Sequence, residues 1–499
     1  MHVSALLDVD LVAGEQTDEL NLLAELTAPT PTTSATRQPA TLVVVLDRSG
    51  AMGGGRLQAA QTALASLVDR LDPTDNIGVV AFDNHVQVVV PAGPLTDKAA
   101  VQQAIAALGP GGSTDLSAGY FRGLQEAQRV LGPTGATVLL VSDGHANAGE
   151  TDPGRLGPVA AKHRSGGITT TTLGLGLGYD QTLLGALARG GGGNEHFAEE
   201  ADTASALIAG EVDGLLDQVA QAASLRITWG PYVTGIDVLN ELTVTSLPDG
   251  AQLELGSFYA GETRRLLLTL KIPGIAALGL VQVATLDFTH VALPELVIHT
   301  TTVPVHVNVV PGDQAAGRIA DPKVRSEVLF QRTQRHKRTA GRWLDEGRTG
   351  DAAGLLQGTS AQLRSDAGAL PSAVAGDLFA EADLLDALAD EASVDRARAA
   401  KVMSYDTTSK SRLRGRRTRG GHLHLSSLGG AADLVLDAWE VQRLVRGLPR
   451  ELARLLRPST APRDPASAQA LADALGADHP AQGFFTAAAR GGGFVVEHG

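Results

Sequence analysis

LVVVLDRSGAM, residues Leu42–Met52, runs without a break from five aliphatic residues into a short loop that carries an acid and a hydroxyl. A strand with no polar position is buried on both faces, which in a water-soluble chain means a parallel sheet with a layer of helices on either side. In the loop, Asp47 and Ser49 stand at alternate positions, and Ala51 fills the next alternate position, where a third oxygen could have been. That reading fixes the class of this part of the chain.

Outward from it, apolar runs of strand length alternate with longer amphipathic stretches. The runs are 41–46, 76–82, 86–90, 136–142, 168–175 and 194–199, and helices are predicted over 56–71, 98–108, 116–131, 155–164, 181–188 and 202–222. The first helix shows Leu57, Ala60, Leu64, Leu67, Val68 and Leu71 on one face. This is the grammar of βαβ units in a doubly wound, mostly parallel sheet. In such a sheet ligands bind at the carboxyl ends of the strands where strand order reverses. Asp47 follows one strand, Asp143 follows ATVLLVS, and Thr114 sits in the loop GPGGSTD between two helical segments. Asp47, Ser49, Thr114 and Asp143 form a set of hard oxygens suited to Mg²⁺ or Mn²⁺ rather than Zn²⁺, and an incomplete shell leaves a position for a carboxylate from another molecule. The alternative is a metal-free loop cluster in which backbone N–H groups and the two hydroxyls satisfy the carboxylates.

The motifs DRSGA, GGSTD and SDG, in this order after strands, resemble a von Willebrand factor type A (VWA) domain with its metal-ion-dependent adhesion site. The resemblance covers about residues 40–220. It implies a Mg²⁺ held by Asp47 and Ser49 of the first loop, by Thr114 and by Asp143, with an acidic residue of a partner protein completing the shell. Ala51 departs from the family's serine, and a water in its place weakens the ion by ~0.5–1.5 kcal/mol, on the scale of one net hydrogen bond. The order of segments along the whole chain also resembles bacterial proteins described as calcium-activated chloride channel homologues. Conduction needs a membrane span, and no window approaches ~20 uninterrupted apolar residues.

The rest of the chain is read around this unit, giving a multidomain α/β plus β plus α architecture. Residues 1–35 supply strands that complete an antiparallel β-sandwich formed by 222–312, with the VWA unit, 36–221, inserted between them. A helical region follows over 313–457, including a hairpin around Trp343, Gly347, Ala352 and Leu356 and a further helix in AADLVLDAWEVQRLVRGL, and 458–499 reads as a mobile tail.

A net charge of -14 counts against a general affinity for nucleic acid or anionic membrane, apart from the basic loop Lys410–Arg419 (KSRLRGRRTR). The absence of cysteine excludes disulfides and thiolate chemistry. The first twenty residues lack a basic, then apolar, leader, so a cytoplasmic location is expected. LGLGLGYD, 173–180, lacks the full dinucleotide spacing and reads as a strand-to-helix turn, and GPGGSTD has no lysine to serve a phosphate. No catalytic pattern of nucleophile and base is present. A non-enzymatic, metal-assisted protein-binding module is therefore expected. The alternative is a metal-independent scaffold, for example for an AAA+ ATPase, docking through the helical region.

Overall fold

The computed structural model describes residues 1–30, 37–198, 201–412, 423–428, 433–436, 448–456, 459–475 and 481–498. The chain opens with β1 (His2–Leu7), β2 (Leu11–Ala13) and β3 (Asp18–Thr27), then enters the α/β unit at β4 (Thr41–Asp47). There follow α1 (Arg56–Arg70), β5 (Asn76–Phe82), β6 (Val86–Pro94), α2 (Lys98–Ala106), α3 (Leu116–Arg129), β7 (Ala136–Ser142), α4 (Pro153–Ser165), β8 (Ile168–Leu175), α5 (Gln181–Gly191), β9 (Gly192–Ala198) and α6 (Ala201–Leu216). Their sheet has the order β6-β5-β4-β7-β8-β9. Only β6 is antiparallel to its neighbour, so the sheet is mixed with a parallel centre.

Every residue of β4 is buried. Successive side chains of a strand point to opposite faces. Val43 and Val45 accordingly join the core beneath α3, α4 and α5, while Leu42, Val44 and Leu46 join the core beneath α1 and α6. α3 comes close enough to the sheet that a Cβ on Gly123 would lie 2.2 Å from Val45 Cγ2, a contact only glycine permits. The connection β4–α1–β5 crosses one face and β7–α4–β8 the other. The strand order therefore reverses between β4 and β7, and a crevice opens at their carboxyl ends.

β10 (Gln218–Trp229) starts where the sequence suggests helix: residues 218–222 belong to this strand, not to the end of α6. β11 (Gly235–Val238), β12 (Val244–Leu247), β13 (Gly250–Tyr259), β14 (Thr263–Ile272), β15 (Gly279–Ala292) and β16 (Val297–Val310) complete two sheets, β1-β3-β14-β11 and β12-β13-β10-β15-β16-β2. One core joins them, with Leu22, Leu26 and Leu268 from the first and Ile227, Leu286, Phe288 and Val307 from the second. β3 pairs with β14 over its whole length, so the α/β unit is an insertion between paired strands.

After a short turn of helix, α7 (Gly312–Ala315), four long helices follow: α8 (Pro322–Asp345), α9 (Thr349–Gly368), α10 (Ser372–Val394) and α11 (Arg396–Arg412). They do not stand apart from the α/β unit, since Phe330, Leu356, Leu385 and Met403 share one apolar core with Tyr179 and Phe197. Lys401 Nζ of α11 donates to the Tyr179 carbonyl at 2.6 Å and lies 4.1 Å above the Tyr179 ring. Inside the bundle, Lys337 is fully buried between Glu381, at 2.6 Å, and Asp406.

Two expectations fail at the C-terminal end. Asp433–Leu436, read as part of a helix, is a strand (β18) paired with β17 (Leu423–Ser427). Among the described residues of 458–499, read as a mobile tail, β19 (Ser459–Arg463) and β20 (Phe494–His498) extend the same sheet in the order β18-β17-β20-β19. Helices Pro465–Leu475 and Gln482–Arg490 close a core around Phe484, Phe485 and Phe494, whose rings lie 5.1–6.2 Å apart. Most of the basic loop, 413–419, lies outside the described residues. Among the described residues, no helix is long and apolar enough to cross a membrane.

Candidate functional site

Three loops meet at the crevice between β4 and β7, and their backbones tie them together. Gly111 N–H donates to the Arg48 carbonyl and Gly50 N–H to the Gly112 carbonyl, which binds the first loop to the second. Thr114 N–H donates to the Asn147 side chain, and Asn147 and Ala148 N–H donate back to the Thr114 carbonyl, which binds the second to the third. Asp115 caps α3 by accepting from Ala118 N–H. A cap of this kind fixes where a helix begins, and Thr114 immediately precedes it.

The four residues singled out in the sequence are all buried: Asp47, Ser49, Thr114 and Asp143 are each at most 3% exposed. A Cβ built on Gly144 would lie 3.5 Å from Thr114 Oγ1, 3.8 Å from the Ala51 methyl and 3.9 Å from Ser49 Oγ, so these three side chains border one small space. Asp47 Oδ1 accepts from Ser49 N–H at 2.7 Å and its Oδ2 from Ser142 Oγ at 2.6 Å. Asp143 Oδ2 accepts from the Arg56 guanidinium at 3.0 Å. Asp143 Oδ1 and Ser49 Oγ are buried and make no hydrogen bond of ordinary geometry among the described residues, although Ser49 Oγ lies near enough to Asp47 to help lower its carboxyl.

Electrostatically the crevice is short of positive charge. Burial pushes the Asp143 carboxyl up to about 6; the nearby Asp47 adds to this, and Arg56 opposes it. Burial likewise raises Asp47, against the hydrogen bonds from Ser142 and Ser49 N–H and with a further push from Asp83. Two like charges drawn into one crevice disfavour each other's ionised form.

Sequence reasoning did not single out Asp83, Ser142 or Arg56. Asp83 directly follows β5, as Asp143 follows β7, and that shared strand-end position was its available signal. It accepts from His85 and Gly112 N–H and pairs with Arg48 at 3.2 Å. Burial raises its carboxyl, but those N–H groups and Arg48 outweigh this and hold it below the usual carboxylate range. Asp83 is thus the brace of the glycine loop carrying Thr114. His145 lies at the rim, exposed, 3.7 Å from Asp180.

The residues present suit a small hard cation. Every available donor is oxygen, two donors are buried without a partner, and two buried carboxylates supply negative charge. Among the described residues, no group of three or more His, Asp and Glu side chains comes together for a metal. This set differs in kind, since half of it is hydroxyl.

Residues 41–210 match the von Willebrand factor type A domain. The chain is 29% identical over 291 residues to the uncharacterized protein sll0103 of Synechocystis, covering 55% of this chain and 68% of that protein. It is 30% identical over 193 residues to the uncharacterized protein YfbK of Escherichia coli, where the match spans 38% of this chain and 34% of YfbK. A solved structure of a von Willebrand factor type A protein from Catenulispora acidiphila superposes with a TM-score of 0.62 at 16% identity, over 83% of this chain and 97% of that one. That likeness concerns the fold, and it reaches well beyond residues 41–210. The chain therefore contains a VWA domain, a type that generally mediates protein–protein interaction and in some cases does so through a metal.

Proposed function

We propose that this chain is a non-enzymatic protein-interaction module whose VWA crevice holds Mg²⁺ or Mn²⁺ on Asp47, Ser49, Thr114 and Asp143 and receives an Asp or Glu side chain of a partner protein. The observation that carries this reading is the pair of buried, partnerless oxygens, Ser49 Oγ and Asp143 Oδ1, beside two carboxylates whose charge the fold leaves only partly compensated. Leaving such atoms unsatisfied costs about 1–3 kcal/mol each, a cost that binding a cation removes.

When bound, the cation supplies positive charge and an open coordination position. Everything else is the work of this chain. Asp47 is held in one orientation by Ser142 and Ser49 N–H. The Asp83 brace sets Gly112, and through it the loop that carries Thr114. Gly144 keeps the space between the hydroxyls clear of side chain. Ala51 is exposed, so solvent water can take the position its missing hydroxyl leaves.

Isothermal titration with Mg²⁺ on the wild type and on Asp47→Asn tests the reading. One site in the wild type and none in the variant is expected, followed by metal-dependent binding of a glutamate-bearing peptide. Equal titrations of the two proteins would refute the assignment.

A further inference from the structure

The crevice contains a cation of its own. Arg56, the first residue of α1, extends its guanidinium back across the mouth of the site, and one nitrogen, Nη1, donates both to Asp143 Oδ2 and to the Ala51 carbonyl, each at 3.0 Å. The same guanidinium lies 3.1–3.3 Å from where a Cβ on Gly176 would stand, so it rests on the loop that follows β8. One side chain thus spans the loops after β4, β7 and β8. Its side chain is half-exposed while that of Asp143 is fully buried. The guanidinium is therefore free to swing outward, whereas the carboxylate has nowhere else to go.

We propose that Arg56 is a resident counter-cation that holds Asp143 in the metal-free protein and competes with the divalent cation for it, so that Arg56 sets the metal affinity of the site. This rests on the metal-binding reading given above. The physical basis is that Asp143 is the one carboxylate that both cations must use. Arg56 neutralises it from the Oδ2 side, leaving Oδ1 buried and without a hydrogen-bond partner. A unit charge a few ångströms from a bound ion repels it, and solvent around the half-exposed guanidinium screens that repulsion without abolishing it. Ala51 strengthens the arrangement, because its backbone carbonyl holds the guanidinium at the very position where the loop offers no side-chain oxygen to the metal.

The two states share one carboxylate, so loss of Arg56 acts on them in opposite directions. In Arg56→Gln, the metal-free protein should melt at a lower temperature than the wild type, since Asp143 loses its partner. Mg²⁺ should bind roughly tenfold more tightly, the effect of removing one nearby like charge, and the rise in Tm at saturating Mg²⁺ should be correspondingly larger. Arg56→Lys, which keeps the charge on a single-pronged group, should stay close to the wild type and serves as the folded control.

The measurement is calorimetric titration of Mg²⁺ into wild type, Arg56→Gln and Arg56→Lys, paired with melting curves in EDTA. Tighter binding in Arg56→Gln than in a titratable wild type supports the proposal. Equal or weaker binding in Arg56→Gln, with a titratable wild type, overturns the role of Arg56 and leaves the metal reading intact. No binding by the wild type overturns both.

Discussion

Ala51→Ser restores an oxygen to the space that Ser49, Thr114 and Gly144 enclose. The Ala51 methyl stands 3.8 Å from the same reference point that lies 3.5 and 3.9 Å from the Thr114 and Ser49 hydroxyls, so a Ser Oγ on that carbon reaches into the ring without backbone movement. Ala51 is itself exposed, in the single turn of helix Gly50–Met52 that Met52 anchors in the core. Substitutions at exposed positions usually change stability by less than about 0.5 kcal/mol, so the fold should be indifferent. For the bound ion, a protein hydroxyl takes the place of a water, a gain on the scale of one net hydrogen bond, ~0.5–1.5 kcal/mol. At 1.4 kcal/mol per tenfold, the dissociation constant for Mg²⁺ should fall by roughly two- to tenfold. Calorimetric titration measures this directly, and a melting curve in EDTA checks that the metal-free fold is unchanged. Unchanged or weaker Mg²⁺ binding at unchanged metal-free stability would refute the claim that position 51 belongs to the coordination ring.

Gly144→Ala has the opposite character: its methyl meets its neighbours at ordinary contact distances of 3.5–3.9 Å. Metal-free stability should therefore hold to within about 1 kcal/mol, while Mg²⁺ affinity should drop by tenfold or more because the methyl fills the space between the hydroxyls; titration and melting separate the two effects. The Asp143 carboxyl, raised to about 6 in the folded chain from an ordinary 3.8, stabilises the fold below its unfolded value and loses that contribution as pH rises through about 6. Melting of the metal-free protein should show that decline, and Asp143→Asn should flatten it. Lys337→Met removes the fully buried one of the two lysines that Glu381 and Asp406 share and leaves them Lys410 alone, which should cost about 3 kcal/mol in urea unfolding, the low end for a broken buried pair, with little effect on Mg²⁺ affinity in the protein that remains folded.

The centre of this fold and the outline of its site were legible because they depend on local patterns. An all-aliphatic strand such as Leu42–Leu46 has few alternatives to a covered parallel sheet, and once the strands are drawn, Asp47 and Asp143 fall at their carboxyl ends. What escaped depends on partners distant in sequence. Arg56 looks like any first-turn helix residue, and only the folded chain brings it to Asp143, 87 positions away. Phe494–His498 ends a glycine-rich stretch and reads as loose chain, yet it pairs with Leu423–Ser427, some seventy residues earlier. Asp433–Leu436 belongs to a short apolar run that fits either helix or strand period, and pairing with β17 decides it. At Gln218–Ala222 the alanines extend a helical pattern, but hydrogen bonding to β13 and β15 draws these residues into the sheet.

The most direct test of the central claim is to follow the six-line EPR signal of free Mn²⁺ as the wild type and Asp47→Asn are added. The wild type should remove one equivalent of free Mn²⁺, addition of excess Mg²⁺ should restore the signal, and the isosteric variant should remove none. A wild type that leaves the free Mn²⁺ signal untouched, or an Asp47→Asn variant that depletes it equally, would contradict the assignment of Asp47, Ser49, Thr114 and Asp143 as a divalent-cation site.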